Sequence, residues 1–164
     1  MNLSLRLIVP ALGLALIAGP MATKPVIAAG GDSPVVTPKC KKGFAWDRRS
    51  KKCKAAKKSS NLSDEDLFQT ARELAFERRY DEALNMLSLV ANQNAPRILN
   101  YKGFATRKLG RVEEAMGYYQ AALAIDPNYT LVREYMGEAY LQLGQVDKAR
   151  EQLAEIAARC GTDC

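Results

Sequence analysis

The sequence predicts an all-α solenoid of about three helix-turn-helix units (six helices), preceded by an export signal and a short basic disulfide-closed segment. Three observations carry that prediction. The stretches RRYDEALNMLSLV, GRVEEAMGYYQAA and GQVDKAREQLAEI align so that Ala83, Ala115 and Ala149 recur 32 and 34 residues apart. Leu109-Gly110 recurs as Leu143-Gly144, and Gly103 recurs as Gly137. Helix punctuation falls between the aligned blocks, at Pro96 and at Asp126-Pro127-Asn128. A period in this range marks stacked supersecondary units, each of which buries its apolar face only against its neighbours.

The first element is the N-terminal segment. Arg6 precedes an apolar run from Leu7 to Ala18, followed by Gly19, Pro20 and the small residues of Val26-Ile27-Ala28-Ala29. A charged start, a short apolar segment and small residues at its end describe a secretory signal. The run is short for a bilayer span, which needs about 20 apolar residues. Residues 1–29 are therefore expected to be removed after Ala28 or Ala29, leaving no stable transmembrane segment; an uncleaved anchor is the alternative. Export to the periplasm, or otherwise secretion, follows.

Export makes disulfides the expectation for the four cysteines. Clustering favours Cys40 with Cys53 and Cys160 with Cys164. Between the first two lies CKKGFAWDRRSKKC, where Gly43 and the Asp47–Ser50 stretch turn the chain and Phe44-Ala45-Trp46 form a short strand. Residues 30–60 are thus expected to be a small stapled hairpin or linker.

This segment also polarises the charge. Residues 39–58 hold ten cations against Asp47 alone, a net of +9, whereas residues 59–164 carry a net of −4; the whole chain is +6. Lys41, Lys42, Trp46, Arg48, Arg49, Lys51 and Lys52, with Phe44, are the candidates for an anionic envelope polymer such as lipopolysaccharide: the two rings are expected to be exposed among the cations, with contacts of about 1 kcal/mol per charge near a surface. The competing reading is a solvated basic linker stapled against proteolysis. Nucleic acid is not an expected partner of an exported chain.

Helices are expected at about 63–77, 80–92, 96–109, 112–125, 129–143 and 146–159, in repeats of about 64–95, 96–129 and 130–163 within a 61–164 domain. Ser63 followed by Asp64-Glu65-Asp66 caps and charges the first helix. Pro96 suits a first helical position, Gly110 and Gly144 suit left-handed C-caps, and Pro127 stops the fourth helix. Arg78 stands where the first unit's turn glycine would be, so the path of that turn is open.

The alignment resembles the tetratricopeptide repeat, as found in small exported bacterial proteins. That resemblance implies a binding module whose first helices line a concave groove. Carried over by position, the groove candidates are Glu65, Phe68, Arg72, Phe76, Arg97, Asn100, Phe104, Arg107, Lys108, Leu131, Glu134, Glu138, Leu141 and Gln142. They suggest an Arg-rich centre for a protein or peptide segment, with acids at the far end. Phe68 with Arg72, and Leu131 with Tyr135, replace the paired Lys-Asn and Lys-Arg of the carboxylate clamp.

No histidine occurs. This excludes Ser-His-Asp and Cys-His nucleophile pairs, the HExxH zinc site and His-ligated haem. The expectation is a non-enzymatic chain with no catalytic residues, no metal and no cofactor. Arrays of this kind usually end in a covering helix. Val146, Leu153 and Ile156 are therefore expected to need a cover from a Cys160-Cys164 staple, a partner or second copy, or a continuation of the chain.

Overall fold

The computed structural model describes residues 38–160, so the expected signal segment and the pairing of Cys160 with Cys164 fall outside the described residues. Cys160 is disulfide-bonded. The described elements are strands β1 (Phe44–Asp47) and β2 (Lys52–Ala55), followed by helices α1 (Asp64–Phe76), α2 (Tyr80–Leu87), α3 (Pro96–Lys108), α4 (Val112–Ile125), α5 (Thr130–Gln142) and α6 (Val146–Cys160). α1 pairs with α2, α3 with α4 and α5 with α6. α3 also packs on α1 and α2, and α5 on α3 and α4, which is the predicted solenoid.

Each turn between paired helices closes the same way. In the second unit Gly110 has φ +85°, with its N–H donating to Arg107 O and the next N–H, of Arg111, reaching Thr106 O. Gly144 repeats this with Leu141 O and Tyr140 O. Arg78, without glycine's freedom, adopts φ 64° and makes the same pair of bonds, to Ala75 O and from Arg79 to Leu74 O. Two satisfied carbonyls therefore outweigh a left-handed cost of about 1–2 kcal/mol.

The second helix differs from its expected span, ending at Leu87 rather than near 92. The backbone beyond it is held from outside. The Asp64 carboxylate accepts from the N–H groups of Ala91 (2.9 Å) and Asn92 (3.4 Å), and the Gln93 amide donates to Leu87 O and Val90 O. Side chains from another element and the following turn thus take the bonds that a longer helix would make.

The basic hairpin forms as predicted, with Trp46 opposite Cys53 in an antiparallel pair and the Cys40–Cys53 disulfide closing it. Asp47 organises its tip, accepting from the N–H groups of Arg49 (2.8 Å) and Ser50 (3.0 Å) and pairing with Lys54. Its placement is new. β1 lies against α1, and Ala45, fully enclosed, joins the helical core. α1 consequently has an unbroken buried run from Asp66 to Arg72. Asp66 joins the two parts: it closes a capping box with Ser63 and accepts from Arg48 Nε at 2.9 Å. The hairpin is the N-terminal cap of the solenoid.

Two predictions follow from this cap. Replacing Cys40 and Cys53 with serine removes the loop constraint, worth about 3 kcal/mol in the chain-entropy model. Trp46 is the single tryptophan, so its fluorescence should shift to the red at lower denaturant than the helical signal is lost; coincident transitions would contradict this. The second prediction concerns acid. Lys54, followed by the turn N–H groups, holds the Asp47 carboxyl far below its ordinary range. Burial pushes Asp66 upward, but hydrogen bonds from Ser63 and Arg48 outweigh it and leave this group lowered too. Groups with depressed folded values contribute stability above the ordinary carboxylate range and lose it as pH falls through the folded values. Trp46 emission should therefore stay constant down to about pH 4 and change below it.

Candidate functional site

The first helices α1, α3 and α5 stand side by side, and their aromatic rings form a continuous ladder. Phe68 meets Tyr101 edge-on at 5.3 Å, Tyr101 and Phe76 each lie 6.3–6.4 Å from Phe104, and Phe104 meets Tyr135 at 5.0 Å. Such ring pairs add about 0.5–1.5 kcal/mol each beyond burial. Most of the ladder is packing: Phe68, Tyr101, Phe104 and Tyr135 are all buried. Phe76 is the member that reaches solvent, 56% exposed.

Cations flank the rings. Arg97 lies 4.5 Å from the Phe68 centroid and pairs with Glu65 at 2.6 Å, while Lys108 lies 5.4 Å from Phe104. These two remain accessible, whereas two other predicted arginines are enclosed. Arg72 donates to the Tyr101 hydroxyl at 2.9 Å, with its guanidinium 5.3 Å from Phe76. Arg107 donates to the Tyr119 hydroxyl at 3.3 Å and pairs with Glu138. Burial disfavours the Arg107 charge, but Tyr119 and Glu138 more than offset it. Burial also pushes the Tyr119 phenol up to about 12, so it stays neutral.

Several predicted groove residues thus stand elsewhere. Asn100 and Arg107 lie inside the packing between repeats rather than on an open face, because α5 stacks over that side of α3. Glu65, Phe76, Arg97, Lys108 and Glu138 remain on the accessible surface, with Leu131 half-buried and Gln142 exposed. Glu134 and Leu141 line a separate groove between α5 and α6. Tyr101, the hub of the ladder, was missed by positional carry-over; its place one turn from Arg97 and close to Phe104 is the signal that could have found it.

On the hairpin, Lys42, Arg49, Lys51 and Lys52 are exposed. Lys41 lies 4.3 Å from the Phe44 centroid, and Arg48 is engaged by Asp66. The expected exposure of Phe44 and Trp46 is corrected: both are half-buried and line a narrow cleft with Thr70, Leu74 and Met86, because the hairpin leans on the first repeat. Among the described residues, no helix is long and apolar enough to cross a membrane.

Such a face of rings, cations and acids over paired helices is that of a helical-repeat binding scaffold. Models of the tetratricopeptide repeat match residues 68–130 and 106–159, together more than half of the sequence. The chain belongs to the tetratricopeptide-repeat family. Its fold is similar to the crystal structure of MamA, at 17% identity over 59% of this chain and 58% of that one, with a TM-score of 0.53. It is also similar to PcrH in complex with the chaperone binding region of PopB, at 21% identity over 63% of this chain and 87% of that one, with a TM-score of 0.56. The match spans less than two thirds of MamA, and at these identities the likeness is one of fold. A comparison with curated proteins finds no match.

Proposed function

We propose that this protein is an exported, non-enzymatic scaffold that captures a protein segment in the cell envelope. The observation that carries the reading is the exposed Phe76, set beside the middle rings Tyr101 and Phe104 of the ladder, with Arg97 over Phe68 and Lys108 over Phe104. An apolar anchor beside cations suits a peptide that presents an aromatic or aliphatic side chain near a carboxylate. Protein binding is the general role of the family, and families of this fold are generally scaffolds rather than enzymes. Export rests on Arg6, the Leu7–Ala18 run and the small residues to Ala29, and the Cys40–Cys53 disulfide agrees with an oxidising compartment.

The test is selection of displayed peptides on the full chain, followed by binding to Phe76→Ser/Lys108→Glu. Both side chains reach solvent, so the variant should fold while affinity falls at least about tenfold. Unchanged affinity of every selected peptide would sink the groove reading. Cell fractionation, with the mature N-terminus read by mass spectrometry, checks export independently.

One observation favours a second reading. Lys42, Arg49, Lys51 and Lys52 project from the hairpin into solvent, which suits an anionic envelope glycan. The full chain would then co-sediment with lipopolysaccharide or cell-wall preparations at low salt and release at high salt. Equal recovery at both salts would count against it.

A further inference from the structure

The two ends of the solenoid are finished differently. At the N-terminal end Ala45 and Arg48 cover α1. At the other end α6 has no buried residue, although its counterparts α2 and α4 bury Ala83, Met86 and Leu87, and Ala115, Met116, Tyr119 and Ala122. Leu141 is 57% exposed, Val146 45% and Leu153 66%; with Gly137, Ala149 and Ile156 they line an open groove of about 320 Å³ between α5 and α6.

The repeat itself indicates what fits there. Thirty-four residues relate Arg107 to Leu141, Tyr119 to Leu153 and Asn100 to Glu134. In the second unit those three positions are enclosed, with Arg107 reaching α5 through Glu138. In the third unit two of them have become exposed leucines and the other a carboxylate. The groove between α1 and α2 holds α3, and that between α3 and α4 holds α5, so the shape is one that a helix fills. A helix seated as α5 is would cover Leu141 and Leu153 with apolar residues and enclose Glu134. That side chain makes no ion pair among the described residues: the two cations on the same groove, Arg133 and Arg150, pair with Glu155 and Asp147 instead. Enclosing a lone carboxylate is costly unless the incoming surface supplies a cation. Burial, then the neighbouring Glu138, already raise its pKa, consistent with an acid short of counter-charge. A second copy stacked head to tail would have to present α1, whose outer side the hairpin occupies.

We propose that the α5/α6 groove docks an amphipathic helix of a partner protein, apolar toward Leu141 and Leu153 and carrying a Lys or Arg opposite Glu134. The site is distinct from the Phe76 face, and its failure would leave that reading intact.

The probe is a fluorescein-labelled designed helix of about five turns, with leucine along one face and lysine along its edge. A twin carries glutamate in place of lysine. Anisotropy titrations use the full chain, and circular dichroism confirms that each variant folds. The lysine helix should bind at least about tenfold tighter than its twin. Leu153→Glu should weaken it by a similar factor, Glu134→Gln should erase the preference for lysine, and Phe76→Ser should change nothing. Equal binding of the two helices, or indifference to Leu153→Glu, would overturn the proposal. So would sedimentation showing a dimer that Leu153→Glu converts to monomer, because the occupant would then be a second copy.

Discussion

Glu138→Ala should lower unfolding stability by about 2–4 kcal/mol, read as an earlier midpoint in urea or heat. The reason is the residue it abandons. The Arg107 side chain is 1% exposed, and its charge is balanced by Glu138 together with the Tyr119 hydroxyl. Glu138 itself is 44% exposed, and solvent screening places the cost below that of a fully enclosed pair. Glu138→Gln keeps an acceptor and should lose less than alanine does. The neighbouring Glu134→Ala should be neutral or stabilising, since burial and repulsion by Glu138 already oppose its charge. Equal losses at the two glutamates would show that Arg107 finds its counter-charge elsewhere.

Gly103→Ala and Gly137→Ala should move stability in opposite directions, although the two glycines occupy one position of the repeat. Both lie inside helices, where alanine is intrinsically favoured by up to about 1 kcal/mol. A Cβ at Gly103 would stand 2.4 Å from Tyr119 Cε1, and that ring is fully enclosed with its hydroxyl engaged by Arg107. The ring cannot give way cheaply, so overpacking should dominate, with a net loss of about 1–3 kcal/mol. At Gly137 the nearest atom outside its own helix is Gln152 Cβ at 3.7 Å, an ordinary contact. The residue aligned with Tyr119 is there Leu153, which points to solvent. Gly137→Ala should therefore gain up to about 1 kcal/mol. Thermal denaturation of the two variants side by side checks the sign, and a shared direction would contradict the geometry.

Much of the fold was legible because the signals that specify it are local. Ser63 caps, Pro96 opens a helix and Gly110 closes one through short-range backbone chemistry. The candidate site was legible only in part. Phe76, Arg97 and Lys108 remained on the accessible face, but Arg107, predicted on the same grounds, is enclosed because α5 lies over it. Helical periodicity gives the side of a helix on which a residue stands. It does not say whether another helix will cover that side. The early end of α2 has a similar origin, in bonds from Asp64, 27 residues upstream of Ala91.

What the sequence determined by itself was the repeat period, the six described helices, the stapled hairpin and the unequal division of charge, which follow from composition, from the recurrence of aligned residues 32 and 34 apart, and from spacing within a few turns. Tertiary structure alone decided that the hairpin caps α1 through Ala45, that Arg107 is locked between Tyr119 and Glu138, and that Gly103 is sterically required while Gly137 is not. It also left the α5/α6 face open. Each of these depends on which surfaces of different elements meet, from 12 residues apart for Arg107 and Tyr119 to 31 for Arg107 and Glu138, and burial is a property of the pair of surfaces rather than of either sequence segment.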